Sequence, residues 1–331
     1  MLFYIILYKF EVIMESNIAL YTRSTEVTGI TQRIDELTDS FILSQDVKES
    51  SKRIYRRTLK QFFNWIKEHR LQLEALIRAD IIKYKEDLLA SGMSSLTVGS
   101  YITVVRKFYQ WAEANKYYPN IAKDIKTPKR KQQFKKQALT DLQAQALLEY
   151  YQSKQTEALR DYAVVNLLLR TGLRTVELTR SNIEDITFKD SKRILFIQGK
   201  GRDEKDNFVI LTDKTYSPID DYLKTRGALK TKEPLFTSAS NNNSGGRLTT
   251  RSISKIAKEG LKAIGLNDRN FTAHSLRHTT ACSLIRSGAS LEEIQGVLRH
   301  TNPATTQIYL SSIAEETRLT RNTEALLDRV F

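Results

Sequence analysis

The chain holds a single cysteine, Cys282, which excludes an internal disulfide and any multi-cysteine zinc module. Nothing then points to an oxidising compartment, and a reducing cytoplasm is the default. Long apolar runs are missing as well. The most hydrophobic stretch, residues 1–13, is interrupted by Lys9 and Glu11 and falls well short of the ~20 apolar residues that span a bilayer. It lacks a basic leading segment and a small-residue cleavage site, which argues against a secretory signal. We expect an ill-ordered leader or an upstream start, with Met14 the true first residue. Acidic residues are the third shortage. Asp and Glu number 38 against 52 Lys and Arg, a formal net charge of +14, and the sequence pI is near 9.6. Such an excess favours a polyanionic partner, most often nucleic acid.

What is present suits a soluble globular protein: 331 residues, 40% hydrophobic and 27% charged, enough for two domains with separate cores. Residues 1–33 read as a leader, polar and aperiodic from residue 15, and a helical pattern begins at Ile34. Ser50 and Ser51 are good caps for a long helix starting at Lys52. Tyr55, Leu59, Phe62 and Ile66 make one stripe of it, at helical spacing. Arg53, Arg56, Arg57 and Lys60 lie opposite with no acid among them. A basic face is commonly just solvated, but this one suits a phosphate backbone. A shorter helix is expected at 79–90, ended by Gly92. Another follows Ser94-Ser95, burying Tyr101, Val105, Phe108 and Ala112, with Arg106 and Lys107 alongside. Tyr109 and Trp111 are expected in the core. Residues 34–122 thus read as an all-helical domain, without strands or internal repeats.

Residues 123–137 form a basic linker around Pro128-Lys129-Arg130-Lys131, a poor helix that suits either a solvated hinge or a DNA backbone. A second domain, 138–331, opens with helices at 141–150, capped by Thr140, and 158–170, with Gly172 beyond. Arg174 starts a short helix to Arg180. Residues 193–198 and 207–211 alternate around Gly199-Lys200-Gly201 and predict a β-hairpin. Residues 237–247 read as a flexible polar loop, and helical pattern resumes at Ser252.

The segment from His274 to Tyr309 carries the chemistry. It contains His274-Ser-Leu-Arg277-His278 and Arg299-His300, with Tyr309 nine residues beyond His300. Imidazoles exchange protons near neutral pH, a guanidinium fork suits phosphate oxygens, and a phenol is a potential covalent nucleophile. His278 and Cys282 sit at i+4 and i+8 from His274 and would permit a zinc face. The Glu of a His-Glu-x-x-His site and a nearby fourth ligand are absent, so packing is the expected role.

Taken in order, Thr171-Gly-Leu-Arg174-Thr-Val-Glu177-Leu, Gly199-Lys200-Gly201, His274-Ser-Leu-Arg277-His278 and His300 ahead of Tyr309 resemble the tyrosine recombinases, the phage-type and Xer-type integrases. The resemblance covers roughly residues 34–315. It implies a mainly α fold with a small β-sheet: a helical core-binding domain and a mixed α/β catalytic domain closing as a C-shaped clamp on double-stranded DNA. It further implies a homotetramer on two sites, with an accessory protein or second recombinase possible and no membrane partner, in a bacterial or archaeal cytoplasm. Arg174 and Arg277 would grip the scissile phosphate, Tyr309 attack phosphorus, Lys200 protonate the leaving oxygen, His274 act as base and His300 donate to the phosphate. Glu177 would orient one of these groups. No ATP, metal or other cofactor is implied. Topoisomerase-like relaxation by the same chemistry, or a non-catalytic DNA-binding protein, are the alternatives. The short stretch before Ile34 leaves no room for an arm-binding domain, which favours a Xer-like or compact mobile-element enzyme. One departure stands out. The family has Leu-Gly-His where this chain has Leu298-Arg299-His300, which adds a charge and removes a flexible position.

Overall fold

The computed structural model describes residues 34–129, 136–154, 158–199, 201–227 and 230–321, with Glu324, Ala325 and Asp328 beyond. The fold is mainly helical with one small sheet, and the chain divides into two compact units at residues 131 and 132.

In the first unit, residues 34–43 form α1. They are followed by α2 (Glu49–Glu68), α3 (Arg78–Ala90) and α4 (Ser95–Ala114). The long helix α2 starts earlier than Ser50 and Ser51 suggest: its N-cap is Lys48, and no side chain caps it. Ser94 does cap α4, its hydroxyl accepting from the Thr97 amide at 3.2 Å. Leu59, Phe62 and Ile66 are buried as the stripe requires, against Phe41, Tyr84, Ile102 and Phe108. The Phe62 and Tyr84 rings meet edge to face at 4.9 Å, an arrangement worth a little beyond its buried area. Tyr109 is buried and Trp111 packs against the same cluster. Arg53, Arg57, Lys60 and Arg106 are exposed. Arg56 differs from the others, because Asp39 of α1 pairs with it at 2.6 Å. The acid that the α2 face lacks is supplied by its neighbour.

The second unit runs α5 (Asp141–Gln152), α6 (Leu159–Thr171), α7 (Thr175–Thr179), β1 (Ile186–Lys189), β2 (Lys192–Ile197), β3 (Asn207–Ile210), α8 (Asp213–Lys224), α9 (Thr250–Ala263), α10 (Ala273–Arg286), α11 (Leu291–Leu298) and α12 (Pro303–Arg321). Helix α6 is buried almost all round, Leu167 and Leu168 included, and its cluster takes in Leu147, Ile219, Leu261 and Leu276. The sheet is antiparallel in the order β1-β2-β3, with Ile186 opposite Leu195 and Leu195 opposite Val209. Val209 is buried while Phe208 and Ile210 are exposed, the alternation of a half-covered strand. Strand β1 is an addition to the expected hairpin. The 237–247 loop is tied at its base, with Thr237 bridged to Arg247 and the Arg247 guanidinium bonded to the Thr179 and Ser181 carbonyls. No helix among the described residues is long and apolar enough to cross a membrane.

Candidate active site

Three turns of the second unit meet at one place: the end of α6, Gly199 and Arg202 between β2 and β3, and the end of α11. Helix α6 ends at Gly172, whose φ of 60° is left-handed. A side chain there would also place a Cβ 2.7 Å from Leu298 Cδ2, so glycine is required twice over. The chain then turns through Leu173 to Arg174, which caps α7. A helix N-terminus favours an anion, and here the protein supplies its own. Glu177 accepts the Arg174 amide through Oε2 at 2.8 Å and the Arg174 guanidinium through Oε1 at 2.7 Å. Glu177 is 1% exposed and Arg174 30%, so the acid is sealed in while the cation reaches solvent.

Arg277, on α10, is 2% exposed. Its two terminal nitrogens donate to the Gly172 and Leu298 carbonyls, and it also meets the Tyr309 side chain. One guanidinium therefore ties the ends of α6 and α11 together. Of its five N–H donors at most three remain after the two carbonyls. Thr280, one turn on, adds a bond to the Leu169 carbonyl at 2.7 Å. Burial and the neighbouring Arg174 push Arg277 down to about 10, so it stays charged at neutral pH. His274, one turn earlier on α10, is exposed. Partial desolvation, with Arg277 and Arg174 nearby, lowers its pKa, which leaves a neutral imidazole able to take a proton.

Helix α11 ends in Arg299, at φ 55° and ψ 47°. His300 follows, 7% exposed, its Nδ1 2.9 Å from the buried Thr306 hydroxyl. Burial, then Arg277 and Arg174, push His300 to about 4. The His300 ring stacks on Tyr309 at 5.8 Å with only 7° between the planes. His278 faces Tyr309 from another side at 5.0 Å, and Cys282 is buried with its sulfur 3.5 Å from His278 Nδ1. Tyr309 is itself 1% exposed. Burial raises its pKa, while Arg277 works in the opposite sense.

Two open clefts share Arg174, and Tyr309 lies behind their walls rather than in them. One, of about 430 Å³, is lined by Arg174, Glu177, Gly199, Arg202, Arg299 and His300. The other, of about 500 Å³, is lined by Arg174, Thr250, His274 and Arg277. Arg174, Glu177, His274, Arg277, His300 and Tyr309 are thus brought into one neighbourhood. Lys200 lies outside the described residues, as do Arg130 and Lys131; Gly199, its neighbour, lines the first cleft and is held by Arg180 at 3.1 Å. Lys129 is exposed.

This neighbourhood lies within residues 137–316, which match the model of the phage integrase family; residues 34–116 match that of the phage integrase N-terminal SAM-like domain. The chain belongs to the phage integrase family. Among its relatives are the tyrosine recombinase XerC of Thermodesulfovibrio yellowstonii, 30% identical over 265 residues, 78% of this chain and 84% of the relative. The tyrosine recombinase XerD of Staphylococcus epidermidis is 28% identical over 282 residues, 83% and 92% of the two chains. Two solved structures share the fold. A XerH site-specific recombinase in a post-cleavage complex with difH DNA matches with a TM-score of 0.69 at 19% identity, covering 87% of this chain and 84% of that one. A lambda integrase dimer on a core site matches at 0.63 and 17%, over 84% and 94%.

Two residues join the site without having been singled out for it. Thr306 fixes the His300 ring; its place three residues before Tyr309, on the same helical face, was the available signal. Arg299, noticed only as a departure from the family pattern, reaches into the cleft. Its terminal nitrogen lies 3.1 Å from Glu177 Oε2, so Glu177 is shared between two arginines. Burial opposes its charge, but Arg299 and then Arg174 hold the Glu177 carboxyl below its usual range.

Proposed function

We propose that this protein is a site-specific DNA recombinase of the tyrosine type, cutting and rejoining double-stranded DNA through a 3′-phosphotyrosine link and a Holliday junction. One observation carries the reading: a buried tyrosyl side chain that meets a guanidinium and is stacked on an imidazole, beside a second arginine that opens to solvent. That set suits in-line attack on a phosphodiester. Arg174 and the remaining donors of Arg277 take the non-bridging oxygens and stabilise the pentacovalent charge. Tyr309 forms the bond to phosphorus as its proton passes to His274. The bond from phosphorus to the 5′ oxygen breaks, and that oxygen leaves as a hydroxyl with a proton from Lys200. With the Thr306 hydroxyl donating to Nδ1, His300 keeps an Nε2–H for the phosphate. Glu177 is a positioning residue for Arg174. The bond energy is retained in the tyrosyl link, so rejoining requires no ATP.

The exposed Arg53, Arg57, Lys60 and Arg106, together with the basic stretch at 129–131, give the DNA backbone its counter-charge. Four protomers on two sites complete the reaction, and the work is done on cytoplasmic, nucleoid-associated DNA. The test uses a pool of duplexes carrying a nick at a fixed place within a randomised stretch. Denaturing gels should show a covalent protein–DNA adduct, absent from Tyr309→Phe. No adduct from the parental protein rules the reading out.

A further inference from the structure

Arg299 is an unusual residue for its position. It holds the left-handed conformation, φ 55°, at a helix C-cap, where glycine is the residue of least strain. Its side chain is nevertheless drawn inward, to 8% exposure. One terminal nitrogen donates to the Val297 carbonyl and the other to Glu177 Oε2 at 3.1 Å. The Nε–H is buried and has no hydrogen-bond partner among the described residues. A buried donor without a partner is expensive, and this one belongs to a side chain that lines the open cleft with Arg174 and His300.

Charge points the same way. Arg174, Arg277 and Arg299 surround one carboxylate, Glu177, so Arg299 adds a positive charge to a cleft where cations already outnumber their counter-ion. A phosphodiester brings one negative charge and its pentacovalent transition state two, so the added charge is worth more in the transition state than in the ground state, the condition under which binding accelerates a reaction.

We propose that Arg299 is a third phosphate-binding guanidinium of this cleft, its Nε–H the donor reserved for an oxygen of the scissile phosphodiester. The assignment rests on the recombinase reading above. The Nε–H is shut off from solvent in the free protein, so a small turn of the side chain toward the cleft, with one terminal nitrogen still on Glu177, presents it to the phosphate. The unmet donor and the strained backbone are then retained for catalysis, a pattern in which stability is given up at a working site.

The experiment takes a duplex recovered from the parental protein's adducts, resynthesised as one defined nicked substrate. Three quantities are read for each variant: the rate of adduct formation, the affinity for the intact duplex and the thermal midpoint. Arg299→Gly relieves the backbone but takes one of two guanidiniums from the buried Glu177, which Arg174 still pairs, so its midpoint should fall only modestly and its DNA affinity stay within a few-fold. Its cleavage rate should fall about 10²-fold, as for loss of one oxyanion donor. Arg299→Lys keeps a charge for Glu177, but its donors all sit on one nitrogen and cannot serve Glu177 and the phosphate from two separate atoms, so it should stay at least about tenfold below parental by the same reasoning. Arg299→Gly at the parental rate overturns the proposal, and Arg299→Lys at the parental rate overturns the Nε assignment. Absence of any parental adduct sinks the recombinase reading itself, whereas a parental adduct with indifferent variants sinks this inference alone.

Discussion

Replacing Glu177 by glutamine should strip two arginines of their shared counter-ion while leaving the side-chain volume unchanged. The two do not suffer equally. Arg174 is 30% exposed and can turn to water, whereas Arg299 is 8% exposed beside a carboxylate that is 1% exposed. Breaking a buried ion pair by removing one partner costs roughly 3–5 kcal/mol. Because one of the two cations rehydrates, the lower end applies, about 3 kcal/mol. For a unit of this size that is a fall in thermal midpoint of roughly 6–12 °C. The diagnostic is the double variant. In Glu177→Gln with Arg299→Gly the stranded charge is gone and the left-handed position holds glycine, which by itself relieves about 1 kcal/mol. The pair should therefore be more stable than Glu177→Gln alone, with a coupling of at least about 1 kcal/mol. Thermal and urea unfolding followed by circular dichroism measure both. A single variant costing under ~1 kcal/mol, or a double less stable than the single, would refute the shared-carboxylate account.

Gly172→Ala should cost about 2–3 kcal/mol, because a Cβ at φ 60° would stand 2.7 Å from the fully buried Leu298; Gly201→Ala, also at positive φ but in open space, should cost distinctly less on the same urea curves. Acid should weaken the fold through His278 and His300, which burial holds near 4 in the folded state against about 6.5 unfolded. The unfolded chain then binds more protons between those values, so stability is full above about pH 6.5 and declines toward pH 4, by on the order of 2–3 kcal/mol for each ring. Urea midpoints that stay flat from pH 7 to pH 4.5 would contradict the neutral, buried imidazoles.

Helical spacing made the long elements readable because a buried stripe repeats faithfully from turn to turn, as Leu59, Phe62 and Ile66 do. Strand β1 escaped notice for a physical reason. It is four residues long, and its turn to β2 is Asp190-Ser191, both at positive φ, where Asn-Gly or Asp-Gly is the usual signal. The start of α2 was misplaced because good capping residues, Ser50 and Ser51, sit inside the helix, while Lys48 ends it without a cap. In the site, the motif residues were legible as short local patterns. The link between Glu177 and Arg299 was not, since it joins positions 122 apart and depends on a backbone conformation that no residue type announces. The Arg56–Asp39 pair escaped for the same reason, the acid lying on a different helix from the basic face.

The stapling of two helix ends by Arg277 has a practical corollary. On the proposed reading, alleles at this codon will score as folding defects and as chemical knockouts at once, and a mutational screen that counts only survivors will file the position with the hydrophobic interior. The same reading makes Tyr309→Phe the choice for an inert version that still occupies its target, since one oxygen atom is lost and the scaffold keeps its keystone.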